Sequence, residues 1–180
     1  MKRIVLSATL VATALAATVA DTRVTRAALQ PMEKSFNKRI QTLDAKAPFD
    51  LLGVTRGVYL QGFGVVFTTE VNLLITTNTS PFQQTIPKAY AVQVHTTKLE
   101  RLPVLKRNMR EMLLASAASL DTVPGNEQIA LGVTLFYYGW EDTTGLPAQI
   151  VMQAPRQKLL DAQRSGNKAE MESIVQVQEF

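Results

Sequence analysis

Residues 54–75, VTRGVYLQGFGVVFTTEVNLLI, decide the fold class. Val65, Phe67, Thr69, Val71, Leu73 and Ile75 fall on one face at period two, and Val66, Thr68, Glu70, Asn72 and Leu74 fall on the other. The first set is apolar and β-branched, which predicts a strand lying on a core and half exposed on its second side. Val54 to Leu60 predicts a shorter strand before it, and Gly62-Phe63-Gly64 supplies the turn freedom for a hairpin.

Upstream, between Thr25 and Lys46, Leu29, Met32, Phe36, Ile40 and Leu43 recur at steps of three and four. They form one stripe of an amphipathic helix, with Glu33, Lys34, Lys38 and Arg39 on its wet side. Pro31 is expected in the first turn and Pro48 as the terminator. Downstream, Asn78 to Pro87 reads as a loop. Val92, Thr96, Leu99, Leu102, Leu105, Met109, Met112, Leu113, Ser116 and Leu120 then make a helical stripe, so a long helix kinked at Pro103 is expected. A Thr97/Glu100 capping box is the alternative start, with Tyr90 to Val94 as a short strand.

Glu127 to Tyr138 returns to period two, with Ile129, Leu131, Val133, Leu135 and Tyr137 on one face and Ala130, Gly132 and Thr134 on the other. This predicts a central strand packed closely on both sides. Ala148 to Gln153 is another strand, Pro155 opens a short helix stopped at Gly166, and Ile174 to Phe180 is a last strand. The whole is expected to be a single two-layer α+β domain: a mostly antiparallel sheet of about five strands with helices packed on one face.

Composition narrows the chemistry. The chain has 180 residues, no Cys, and His95 as its only His. Disulfides, zinc fingers, thiolate nucleophiles and any site needing two imidazoles are excluded. Residues 1–20 carry Lys2 and Arg3, then an apolar run from Ile4 to Ala20 ending in Thr18-Val19-Ala20. That is the layout of a cleavable secretory signal, leaving a domain of residues 21–180 in the periplasm or secreted. A retained anchor is the alternative, although the run is short and rich in Ala and Thr for a spanning segment. Cleavage leaves no other stretch apolar enough to span a membrane. It also removes two of the 19 basic residues and none of the 15 acidic ones, so the mature net charge is +2. Such a balance makes no case for nucleic acid.

Tyr59-Leu60-Gln61-Gly62-Phe63-Gly64-Val65-Val66-Phe67 resembles the YLxGxGVVF hairpin of a family of uncharacterised exported bacterial proteins. Trp140-Glu141-Asp142 through Gly145-Leu146-Pro147-Ala148-Gln149-Ile150-Val151 is similar to a later segment of the same proteins. The resemblance implies export and a shared fold, and carries no catalytic residue.

No motif completes a catalytic constellation. Gly57, Gly62 and Gly64 match neither phosphate-binding glycine pattern and lead into a strand, so no nucleotide cofactor is expected. Ser35-Phe36-Asn37-Lys38 and Ser165-Gly166-Asn167-Lys168 fit SxxK without the accompanying SDN-like and KTG-like elements. A triad would have to use His95, for which no partner can be placed. Glu70 and the Glu141-Asp142 pair are the acidic candidates, too few for a metal site at fixed spacing. Tyr137, Tyr138 and Trp140 gather at one strand end, where an aromatic patch beside carboxylates can stack on a glycan or anchor a protein. Lys98, Arg101, Lys106, Arg107 and Arg110 give the long helix a basic half, read as a solvated face. The candidate ligand-binding set is therefore Trp140, Glu141, Asp142, Glu70 and His95. A non-enzymatic interaction or accessory module of the envelope is the leading expectation, partnered by an envelope protein or glycan. A sugar-binding module or a carboxylate-based hydrolase is the alternative.

Overall fold

A computed structural model describes residues 24–44, 48–76, 85–166 and 168–180. The expected signal at residues 1–20 and most of the expected loop after Thr76 lie outside the described residues. The elements run α1 (Arg26–Thr42), β1 (Asp50–Leu51), β2 (Arg56–Leu60), β3 (Gly64–Asn72), α2 (Lys88–Ser119), β4 (Gln128–Leu135), β5 (Gln149–Pro155), α3 (Arg156–Ser165), α4 (Lys168–Ile174) and β6 (Gln176–Glu179).

The sheet order is β1-β3-β4-β5-β6, and β2 also pairs with β3. Because β1 meets Val71 and Asn72 while β2 meets Gly64 to Thr68, the two are one interrupted edge strand lying along β3. The expected hairpin is present, with Gly62 and Gly64 at positive φ. Gly64 is irreplaceable on space as well: a Cβ there would lie 2.0 Å from the Gln128 carbonyl oxygen. All pairings are antiparallel except β3 with β4, which run parallel because the long helix α2 carries the chain back across the sheet. The α+β class and the mostly antiparallel sheet thus stand as expected.

One sheet face carries the core. Val65, Phe67, Val71, Ile129, Leu131, Val133, Ile150 and Met152 are buried under Phe36 and Ile40 of α1, Leu105, Met109, Met112 and Leu113 of α2, and Leu159 of α3. The opposite face of β4 departs from expectation. Thr134 is exposed, and a Cβ added at Gly132 would meet only Thr68 Cγ2 at 3.8 Å and the Phe67 carbonyl oxygen at 3.9 Å, atoms of the neighbouring strand. Ala130, 3 % exposed, and Gly132 are nevertheless buried, as expected for a central strand, so this face opens to solvent at Thr134 and toward the edge strand.

Other expectations need correction. Leu73 is buried but Ile75 is 59 % exposed, since β3 has already ended at Asn72. Pro31 lies in the second turn of α1, and that helix stops at Thr42, well short of Pro48, where Thr42 Oγ1 donates to the Lys38 carbonyl at 2.9 Å. Glu33 is buried, not solvated. In α2 the helix is continuous from Lys88, so no strand forms at Tyr90 to Val94. Pro103 sits on its exposed side, where water can serve the carbonyl that its missing donor leaves free. The buried line of α2 runs through Val94, Lys98, Arg101 and Leu102, while Val92 is 65 % exposed and Leu99 only part covered. The basic residues Lys98 and Arg101 are therefore inside, each paired with an acid. The short helix α4, absent from the sequence reading, precedes β6.

Candidate functional site

The loop after β4 meets the first half of α2. Phe136 still donates to the Val71 carbonyl at 3.0 Å, after which the chain turns. Glu141 N–H reaches back to the Tyr138 carbonyl at 3.0 Å, and Asp142 Oδ1 accepts from the Thr144 amide at 2.9 Å. Gly145, at φ 75, and a bond from Leu146 to the Thr143 carbonyl complete the turn. Tyr137 ties the two ends together by donating its hydroxyl to the Pro147 carbonyl at 2.8 Å.

The two neighbouring acids point apart. Glu141 turns inward, its Oε2 2.5 Å from Lys98 Nζ, with both side chains 1 % exposed. The Thr76 hydroxyl reaches Glu141 Oε1 at 3.5 Å, and the Lys98 ammonium also faces the Phe136 carbonyl at 3.5 Å and lies 4.9 Å from the Tyr137 ring centroid. Burial pulls the Lys98 pKa below the ordinary lysine range, against the hydrogen bond and charge of Glu141, which act to raise it. Burial also pushes the Tyr137 phenol up to about 12, helped by the nearby Glu141 charge. Asp142 faces water, and its carboxyl is held low by the Thr144 amide and hydroxyl, with a smaller contribution from His95.

His95 Nδ1 lies 2.8 Å from the Asp142 carbonyl oxygen. A carbonyl only accepts, so Nδ1 carries the proton in this contact. Trp140 stands between Tyr90, at 5.9 Å and 32°, and Tyr138, at 6.1 Å and 7°, with Phe136 edge-on to Tyr138 at 5.0 Å. The indole thus packs with two rings of the same chain and is half-buried. Four of the five candidate residues, His95, Trp140, Glu141 and Asp142, come together here. Each is engaged in holding the loop to α2: one as a buried ion pair, one through a backbone carbonyl, one as a stacked ring and one in its own turn.

Glu70 is elsewhere. It projects from β3 on the open sheet face, in a shallow groove of about 480 Å³ shared with Arg56, Thr68 and Thr134. Among the described residues no group of three or more His, Cys, Asp or Glu is placed to hold a metal ion.

Several polar residues that organise the fold have no motif. Glu33 and Asn37 project from α1 onto the outer edge of β2: Glu33 Oε1 accepts from the Gly57 amide at 2.6 Å, and Asn37 Oδ1 accepts from the Thr55 amide at 2.8 Å. They serve edge donors that the sheet leaves unpaired. Arg26 binds both carboxylate oxygens of Glu33. Burial works to raise the Glu33 carboxyl, but the hydrogen bonds from Arg26 and Gly57 and the charges of Arg26 and Arg56 hold it below the usual range. Glu127 similarly accepts from the Tyr59 hydroxyl and the Gly62 amide, each at 3.2 Å, fixing the hairpin tip to the start of β4. Helical spacing is the signal that could have found two of these groups. Glu33 sits in register with Leu29, Phe36 and Ile40, and Lys98 with Val94 and Leu105.

No protein-family model, curated protein or solved structure matches the chain.

Proposed function

We propose that this chain is an exported, non-enzymatic interaction module of the bacterial envelope, and that it docks a protein partner on the open face of its sheet. The observation that carries the reading is the exposed apolar edge of that face, at Val58 and Leu60 of β2, which continues into Thr68 and Thr134 beside the buried Ala130 and Gly132. Val58 is 50 % exposed and Leu60 47 %, and cross-strand register sets Val58 beside Val66 and Ala130, and Thr68 beside Gly132 and Val151. Arg56 and Glu70 rim one end, and Gln149, Gln153, Gln176 and Gln178 rim the other. An apolar centre with a polar rim is the anatomy of a docking surface. Glycine inside a central strand weakens the strand and suits the close approach of another surface.

Export is supported by the basic start, apolar run and small residues of residues 1–20. No helix among the described residues is long and apolar enough to cross a membrane. The polar groups around Trp140 support the non-enzymatic part of the reading, because Glu141 and His95 are committed to internal partners.

A photo-crosslinking side chain at Leu60, in cells carrying the protein in its native envelope, tests the proposal against the same group at Lys158 on the outer side of α3. The reading expects a discrete protein adduct from Leu60 and none from Lys158. Equal adducts from both positions, or none from Leu60, would overturn it.

A further inference from the structure

The interruption of the edge strand creates a second feature, which meets the open face only at Val54 and Arg56. After β1 the chain leaves the edge of β3, with Gly53 at φ 115, and rejoins it at Arg56. On the α1 side of this detour lies a groove of about 330 Å³. That volume falls in the range of small-molecule sites.

Four charged side chains line the groove: Arg26, Glu33, Lys34 and Arg56. Arg26 and Glu33 cancel, since the guanidinium contacts both carboxylate oxygens, and Glu33 Oε1 is also occupied by the Gly57 amide. Lys34 and Arg56 have no hydrogen-bonding or ion-pair partner among the described residues. The groove therefore carries a net charge of two positive, three cations against the one carboxylate of Glu33, on which Arg56 also acts through space. Its wall also contains Thr55, which is 1 % exposed and whose buried hydroxyl has no hydrogen-bond partner. A buried hydroxyl left in that state is costly, and it can donate to an acceptor placed in the groove.

We propose that the groove between α1 and β2 binds a phosphate group of a small molecule, held by Lys34, Arg56 and the Thr55 hydroxyl. A phosphate dianion matches the groove's net charge. Its several oxygens can take a forked guanidinium, an ammonium and a hydroxyl together, which one carboxylate does less completely. Glu33, neutralised by Arg26, shapes the groove without repelling the anion.

Titration calorimetry of the full chain with inorganic phosphate, against acetate at matched ionic strength, tests the site. The expected result is saturable binding at one site, preferred over acetate. Arg56→Gln and Lys34→Gln should each weaken it about tenfold or more, and Thr55→Val should weaken it by a smaller factor. Arg164→Gln, on the exposed side of α3, should leave it unchanged. Co-sedimentation with vesicles containing phosphatidic acid distinguishes a lipid headgroup from a free phosphate compound. Sedimentation abolished by Arg56→Gln and competed by free phosphate supports the same site and assigns the source to lipid. Absence of both kinds of binding, equal affinity for acetate, or binding indifferent to Arg56, Lys34 and Thr55 would overturn the proposal. Far-ultraviolet circular dichroism of each variant separates lost binding from lost folding.

Discussion

Replacing Lys98 with Met removes one half of an ion pair in which the charged atoms are 2.5 Å apart and each side chain is 1 % exposed. Met keeps most of the stem's volume and leaves Glu141, among the described residues, with the Thr76 hydroxyl at 3.5 Å as its remaining side-chain partner. A carboxylate so placed takes up a proton in preference to staying charged. Holding an ordinary glutamate protonated at pH 7 costs about 3.7 kcal/mol, at about 1.36 kcal/mol per pH unit. That lies within the roughly 3–5 kcal/mol expected for breaking a buried pair, and it is a large share of the roughly 5–15 kcal/mol by which domains are stable. The folded variant binds a proton that the unfolded chain does not, so its penalty shrinks as pH falls from 7 toward about 4.5. Glu141→Gln gives the opposite slope. It strands Lys98, whose pKa burial already pulls down, so folding releases a proton and the penalty shrinks as pH rises toward about 10. The double variant buries no charge and recovers at least half of the larger single loss. Urea unfolding followed by the fluorescence of Trp140, the only tryptophan and a neighbour of Glu141, measures all three. Single penalties below about 1 kcal/mol, penalties that do not change with pH, or simple additivity would refute the reasoning.

Three further outcomes are expected. Gly64→Ala combines a φ of 129 with a Cβ driven onto Gln128 backbone, so a loss of about 3 kcal/mol or more is expected in the urea midpoint. Tyr137→Phe loses the hydrogen bond to Pro147 and about 1 kcal/mol at pH 7. Because the phenol is raised from 10.0 to about 12, the wild-type chain should lose this stabilisation as pH climbs through that window, and the variant should show no such step in alkaline titration. Glu33→Ala leaves the Gly57 amide and Arg26 without their acceptor and costs about 2–3 kcal/mol. The contribution of Glu33, whose pKa is lowered from 4.5, is present above that pH and lost as pH falls through its folded value, so Glu33→Gln should flatten acid unfolding.

The fold was legible where side-chain periodicity and backbone preference coincide. The alternation at Val65, Phe67 and Val71, the glycines of the hairpin, and the pairing of Pro155 with Gly166 around α3 all read directly. Charge defeated the reading of the helices. Glu33, Lys98 and Arg101 were assigned to water by type, yet each is buried beside an opposite charge: Arg26 two turns away on the same helix, and Glu141 and Asp44 from distant parts of the chain, with the Gly57 amide and the Phe49 ring as further contacts of Glu33 and Arg101. Helical spacing placed two of them in the buried stripe, but no local signal named their partners. The far face of β4 was legible only in part. Ala130 and Gly132 are buried as expected, but the exposed Thr134 in the same alternation shows that no helix layer covers that side of β4. At the candidate site the clustering of His95 with Trp140, Glu141 and Asp142 depends on α2 being the long helix expected from the stripe and not one starting at Thr97.

The open face is the centre of the functional reading, and Gly132 is the position from which to test it. A Cβ at Gly132 would meet nothing closer than Thr68 Cγ2 at 3.8 Å, so Gly132→Arg can be built without a backbone clash, while projecting a long cation into any docked partner. The decisive measurement is the yield of the Leu60 crosslinked adduct in the Gly132→Arg background, at matched expression and unfolding midpoint. At least a tenfold fall is predicted, on the order of the 1.4 kcal/mol that separates a decade in affinity. An unchanged yield would show that the partner does not sit on this face, and would contradict the account.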